Sequence, residues 1–259
     1  MVDILEKVQE VDPGILKNPS ARRITALERS ISKKVGRAVA DYGMIKDGDR
    51  ILVAVSGGKD SLTLLKVLSD RKAFVPIRYD VLALHVDMGY KCANKEVLKE
   101  FLHKRGYSFH FKTLDIFKGN QGLKITCFWC SWNRRKALFE AAKEYGCSKI
   151  ALGHHKDDIV QTILMNLLFE GEISAMAPYQ ELFGGESAII RPLAYVEEKD
   201  IEELARQYDF PVPHCACPNA KTSKRRAIKK FIAEIEEISP GVKSNIFRSL
   251  QRIKKDYLV

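Results

Sequence analysis

The stretch Ala54-Val55-Ser56-Gly57-Gly58-Lys59-Asp60-Ser61-Leu62, "AVSGGKDSL", stands directly behind the apolar run Ile51-Leu52-Val53 and directly ahead of a segment with helical spacing. Gly57 and Gly58 let backbone amides approach an anion, Lys59 supplies charge, and a helix opening near Ser61 aims its positive end at the same point. The loop reads as a phosphate cradle between a strand and a helix. A plain glycine turn with a solvated lysine would require less than Ser, Gly-Gly, Lys and Asp together. The cradle is not of the commonest kinds. A Walker loop places Ser or Thr directly after its lysine to bind magnesium, and Asp60 occupies that place here; the dinucleotide pattern G-x-G-x-x-G lacks its third glycine.

Working outward, strand and helix alternate from Arg50 to Tyr208. "DRILVAVSGG" is a buried strand, and Leu62, Leu65 and Leu68 share one face of the helix that follows. "YDVLALHVDMG", "YSFHFKTLDI", "KIALGHHKDD" and "AIIRPLAYV" give four more strands, separated by the helical stretches "EVLKEFLHKRG", "RRKALFEAAKEYGCS" and "DIVQTILMNLLF" and followed by "EEKDIEELARQY". The alternation in "YSFHFKTLDI" indicates a strand covered on one face less than its neighbours. The expected fold is α/β, a doubly wound five-stranded parallel sheet with helices on both faces. A helix over Ile24 to Tyr42, with Leu27, Ile31, Val35 and Val39 at four-residue steps, precedes it. The expected organisation is an N-terminal arm and helix (1–45), the sheet domain (46–210) and a cysteine-containing basic helical region (211–259). In such a sheet the ligand lies beyond the carboxyl ends of the strands. The chain places Ser56 to Ser61, His85 with Asp87, and Gly153 to Asp158 at those ends.

The 259 residues carry 43 Lys and Arg against 33 Asp and Glu, a formal charge of +10 that favours a polyanionic partner such as nucleic acid. The run "KTSKRRAIKK" concentrates Lys221, Lys224, Arg225, Lys229 and Lys230, read here as contacts to an RNA backbone. No window approaches the about 18 apolar residues of a membrane span, and acidic residues stand where a signal peptide would be basic. A cytoplasmic protein with no membrane partner is expected.

Six cysteines fall at 92, 127, 130, 147, 215 and 217. In a reducing compartment, the pairs Cys127/Cys130 and Cys215/Cys217 point to metal or redox chemistry rather than disulfides. Four closed zinc ligands and three thiolates around an iron–sulfur cluster with one iron left open both satisfy the spacing. Cys147, after a helix-ending glycine, reads as a small buried hydrophobe, and Cys92 as incidental. His154 reads as a strand-end residue without a role; one of Asp157 and Asp158 is expected to cap the helix that follows.

"SGGKDS" resembles the signature of the N-type ATP pyrophosphatases, whose PP-loop binds the pyrophosphate released when ATP gives AMP to a substrate oxygen. From about Gly36 to Arg226 the chain is similar to the tRNA 2-thiocytidine synthetases, the TtcA family, at "GRAVADYGMIKDGDRILVAVSGGKDS", "CFWCSWNRR", "KIALGHHKDDIVQTILMN" and "IIRPLAYVEEKDI". The resemblance implies ATP, Mg2+ and a 4Fe–4S cluster as cofactors, and tRNA as partner beside a sulfur donor (a desulfurase, a carrier protein or free sulfide), with a homodimer as one possible assembly. It implies adenylation of the C2 oxygen of an anticodon-loop cytidine, then sulfur transfer giving 2-thiocytidine.

By the same resemblance, Ser56, Gly57, Gly58, Lys59, Asp60 and Ser61 would hold the phosphates, with His85, Gly153 and His155 also at the nucleotide. Lys59, Asp60, Asp158 and Arg134 would take part in catalysis, with Asp157 as the alternative to Asp158 for magnesium. Cys127 and Cys130 would be cluster ligands. Cys217 is favoured over Cys215 as the third, because its "CP" opens a turn and a basic helix as in related thiolases. The rivals are a tRNA 2-thiouridine synthetase with the same cluster chemistry, a tRNA lysidine synthetase-like ligase, and a zinc-stabilised RNA-binding module without catalysis.

Overall fold

The computed structural model describes residues 24–89, 95–114, 127–211 and 224–257. Among the described residues six strands form one sheet: β1 (Asp49–Ala54), β2 (Tyr79–Asp87), β3 (Phe109–Thr113), β4 (Lys149–Ala151), β5 (Tyr179–Leu182) and β6 (Ser187–Ile190), in the order β3-β2-β1-β4-β6-β5. The five strands expected from the sequence are β1, β2, β3, β4 and β6, and they pair in parallel. To these the structure adds β5, an antiparallel edge strand joined to β6 through Phe183–Gly185, with Tyr179 opposite Ile190. Each end of the sheet is thereby finished by a short strand. β3, at the other edge, keeps four of its residues half-buried.

The apolar strands bury both faces. Ile51 and Val53 of β1 point into one core with Leu62, Leu64, Leu65 and Leu68 of α2 (Lys59–Arg71), while Leu52 between them points into a second core with Leu82 and Leu84. This alternation of buried side chains is the reason the strands read as continuous hydrophobic runs. α1 (Ala26–Asp41) adds Ile31, Val35 and Ala38 to the first core and is started by a capping box between Thr25 and Glu28. α3 (Lys95–Lys104) contributes Leu98 and Leu102 to it. α4 (Cys127–Glu144) covers the opposite face with Ala137, Leu138 and Ala141, where Cys147 is also buried as a small hydrophobe.

After α5 (Lys156–Met165) the helix widens into a π-turn at Asn166–Glu170 and ends at Gly171. α6 (Glu198–Gln207) lies against α2. Two further helices, α7 (Lys224–Ile238) and α8 (Val242–Ser249), pack on α5 through Ile228, Ile232, Ile246 and Phe247. No helix among the described residues is long and apolar enough to cross a membrane.

Candidate active site

Because the strand order reverses direction of growth between β1 and β4, the loops after these two strands part and leave a crevice at their carboxyl ends. Ser56 to Gly58 fill the β1 side. Gly57 has φ 88°, a left-handed conformation that a side chain would strain, and it turns the chain from β1 straight into α2. The two serines brace the turn. Ser61 Oγ donates to Gly58 O at 2.9 Å and accepts from Ser56 N–H at 3.1 Å, while Gly58 N–H donates to Ser56 Oγ at 3.2 Å. Ser61 is buried. The loop is thus held open around the first turn of α2 by its own hydroxyls, with Lys59 and Asp60 on that turn.

From the β4 side, Gly153 presses against the start of α2. A Cβ there would stand 3.0 Å from Ser61 N and Asp60 C, so only glycine lets the two loops meet. His155 follows and is 3% exposed. Its Nε2 lies 3.4 Å from Asp158 Oδ2 and 3.8 Å from Asp60 Oδ1, and its Nδ1, 3.8 Å from Asp157 Oδ2, has no hydrogen-bond partner among the described residues.

The two aspartates of "KDD" divide the work. Asp158 Oδ2 accepts the His155 backbone N–H at 3.2 Å, capping α5, and its Oδ1 accepts from Arg225 at 3.1 Å. Asp157 is buried with both oxygens engaged: Oδ2 takes the Glu198 N–H at 2.7 Å and Oδ1 lies 2.9 Å from Lys243 Nζ. Asp157 therefore ties α5 to α6 and α8, and Asp158 is the carboxylate that faces the crevice.

Lys59 Nζ donates to Asp60 Oδ1 at 3.1 Å and to Glu198 Oε1 at 3.2 Å. Burial lowers the lysine pKa, but the two carboxylates outweigh it and raise the group overall. Glu198 in turn meets Lys229 at 2.7 Å. Burial pushes Glu198 up, yet the Lys229 hydrogen bond and the Lys59 charge hold it at about 2, firmly ionised at neutral pH. Lys59, Asp60, His155, Asp158, Glu198, Arg225 and Lys229 line a cleft of about 290 Å³. Cationic side chains and the carboxylates of Asp60, Asp158 and Glu198 thus share one cleft, and among the described residues no group of three or more His, Cys, Asp or Glu side chains is gathered to hold a metal ion.

His85 and Arg134 lie on the other side of β1. His85 Nδ1 is 2.8 Å from the Val55 carbonyl, so Nδ1 carries the proton and braces the strand end leading into the loop. Burial holds its pKa down, and the Arg134 charge nearby adds to that. The Cys127/Cys130 pair does not precede its helix, as the sequence suggested, but forms the first turn of α4. Arg134 falls one turn after Cys130, on the same face of the helix. Cys130 is half-buried at the rim of the core under α4. Cys92, Cys215, Cys217 and Lys221 lie outside the described residues.

His154, read as a strand-end residue, makes a structural hydrogen bond: its Nδ1 accepts from Arg191 Nε at 3.3 Å, and Arg191 is itself buried and donates to the Ala177 carbonyl. One residue of the cleft escaped the sequence reading. Glu198 joins the site from 139 positions beyond Lys59, and only the docking of α6 on α2 reveals it.

The PP-loop domain family matches residues 27–234. Fold and cleft accordingly define a PP-loop ATP-binding protein. Curated relatives narrow the class. A tRNA-cytidine(32) 2-sulfurtransferase of Geobacter sulfurreducens is 42% identical over 238 residues, covering 89% of this chain and 92% of that one. Another, of Paracidovorax citrulli, is 38% identical over 243 residues, covering 92% of this chain and 78% of that protein. Within the PP-loop proteins, the chain belongs to the tRNA-cytidine(32) 2-sulfurtransferase family. Among solved structures, a U34-tRNA thiolase from Methanococcus maripaludis with its 4Fe–4S cluster aligns with TM-score 0.71 at 23% identity, over 87% of this chain and 78% of that one, which shows the shared fold.

Proposed function

We propose that this chain is an ATP-dependent tRNA thiolase that replaces the C2 oxygen of cytidine 32 with sulfur. The observation that carries the reading is the convergence of Lys59, Asp60, His155 and Asp158 with the amino end of α2 at the crevice between β1 and β4. Support for the substrate comes from the relatives' names.

In this reading the triphosphate lies against the first turn of α2, where unpaired N–H groups and Lys59 meet its charge. Asp60 and Asp158 would hold Mg2+ beside it; both are carboxylates at the cleft, a donor set that suits a hard cation. The cytidine enters from a single-stranded loop, where unstacking a base costs little. Its C2 oxygen attacks the α-phosphorus; that O–P bond forms as the bond to the leaving pyrophosphate breaks. Lys59 and the amides of the loop stabilise the charge on the departing group. The adenylated C2 is electrophilic, and sulfur takes the place of the oxygen as AMP leaves.

Cys127 and Cys130 would ligate the 4Fe–4S cluster, with Cys217 as third ligand. Their place in the first turn of α4 fits the group, since i and i+3 share a face and the helix start favours thiolates. When bound, the cluster supplies an iron able to carry sulfur. Arg134 on the same face would balance the negative charge of the sulfur-bearing site. A desulfurase, a carrier protein or free sulfide serves as donor, in the cytoplasm where tRNA is modified.

The test is anaerobic incubation of the iron-loaded chain with ATP, Mg2+, sulfide and an unmodified tRNA transcript, followed by nucleoside mass analysis. We expect 2-thiocytidine, lost in Lys59→Met. Appearance of 2-thiouridine instead would move the assignment to the uridine rival, and an unchanged tRNA would overturn thiolation.

A further inference from the structure

The cations of α7 do not all face outward. Arg225 Nη1 reaches Asp158 Oδ1 at 3.1 Å, and one turn later Lys229 Nζ reaches Glu198 Oε2 at 2.7 Å. The other oxygen of Glu198 holds Lys59 at 3.2 Å. A single carboxylate thus sits between a cation of the phosphate loop and a cation of α7, in the cleft before the amino end of α2. A negative group bridging two cations at a helix start occupies the place a phosphate would take.

We propose that Arg225 and Lys229 bind the phosphates of the nucleotide, and that Glu198 is an internal anion that occupies Lys59 and Lys229 until ATP displaces it. The inference rests on the ATP-dependent reading above and assigns to the nucleotide two cations that sequence alone ascribed to the RNA backbone.

The exchange is energetically accessible. The side chains of Arg225 and Lys229 are 45% and 59% exposed, so their present ion pairs contribute little and can be given up. A polyphosphate offers each cation more charge and more acceptor oxygens than one carboxylate does. Glu198, ionised throughout the physiological range, is a standing competitor for them. Cations at Arg225 and Lys229 therefore add to nucleotide affinity, while the charge of Glu198 subtracts from it.

The two contributions have opposite signs, and the experiment uses that. The full chain is titrated calorimetrically with the α,β-methylene analogue of ATP in Mg2+, and its tRNA affinity is measured separately by filter binding. Arg225→Met and Lys229→Met should each weaken the analogue about tenfold, as loss of a charge-assisted contact predicts. Glu198→Gln should tighten it by about threefold, a modest shift because Lys229, one of the two cations it releases, is exposed and its pair is weak. Both sets should leave tRNA affinity nearly unchanged. Unaltered analogue binding with weakened tRNA binding in the α7 variants would return these residues to the RNA backbone and overturn the proposal. Weaker analogue binding in Glu198→Gln would equally overturn the displaced-anion role, whatever the α7 variants do. A native chain that binds tRNA but not the analogue would bring down the ATP reading of the cleft and this inference with it.

Discussion

Gly153 and Ser61 touch backbone to backbone: a Cβ on the glycine would stand 3.0 Å from Ser61 N, an amide of the first turn of α2. Neither partner can swing aside, since Ser61 is buried and its hydroxyl is bonded to Gly58 O. Gly153→Ala should therefore push the amino end of α2 away from β4. We expect a loss of about 1–3 kcal/mol in urea unfolding, the range for overpacking, and a larger fractional loss in nucleotide affinity by calorimetry. An alanine variant with native stability and affinity would mean the contact is not limiting.

The His154–Arg191 pair should make the fold sensitive to mild acid. Burial, then the Arg191 charge, pushes His154 down to about 4 from an ordinary value of 6.5. Between these values the unfolded chain takes up a proton that the folded chain refuses, so stability is complete above pH 6.5 and falls as pH drops towards 4. The slope for this one group is about 1.4 kcal/mol per pH unit, or about 3 kcal/mol over the window. Urea midpoints from pH 7.5 to 4.5 should show the decline, and His154→Gln should flatten it. Glu197 and Glu198, both held at about 2 against the effect of burial by lysine partners, add their own acid loss only below the ordinary carboxylate range, so the two effects separate.

What the sequence disclosed and what it hid follow from the range of the interactions. The five parallel strands and the cradle were legible because each rests on local signals: apolar runs, and glycines next to Lys59. β5 was not, since "YQEL" is short and half polar and becomes a strand only by pairing with β6. The division between Asp157 and Asp158 was equally hidden. Both are helix-start carboxylates in sequence, and only the arrival of α6 and α8 at one of them separates a brace from a residue facing the cleft. The third cysteine stands outside the described residues, so the choice between Cys215 and Cys217 rests on the family resemblance alone.

The position of the cysteines makes a selective prediction about metal content. Cys127→Ala and Cys130→Ala remove thiols from the first turn of α4, whereas Cys147 is 4% exposed in the apolar core beneath that helix, where burial raises its thiol pKa. Iron and sulfide, measured on anaerobically prepared protein, should fall sharply in the first two variants and persist in Cys147→Ala, with the analogue of ATP still bound by all three. Iron retained in Cys127→Ala, or lost in Cys147→Ala alone, would contradict the assignment. Stoichiometric zinc in place of iron would favour a structural metal.

Asp157 should matter for the seating of the C-terminal helices more than for chemistry. Its Oδ2 fixes the first turn of α6 through the Glu198 N–H, and its Oδ1 holds Lys243 of α8, which also meets Glu236 of α7 at 2.7 Å. Asp157→Asn keeps the shape and one acceptor oxygen, but it removes the charge and leaves an amide N–H₂ facing a cation or a backbone donor. Because Lys243 retains Glu236, the cost should lie below that of a fully broken buried pair, at about 2 kcal/mol. Hydrogen exchange should locate the effect, with faster exchange in α7, α8 and the start of α6 and unchanged protection in β1 and β2. Lys243→Met should reproduce the loosening of α8 while leaving α6 protected, because the Asp157–Glu198 bond survives it. If both variants loosen α6 equally, the two oxygens of Asp157 act as one unit and the division of labour between them is wrong.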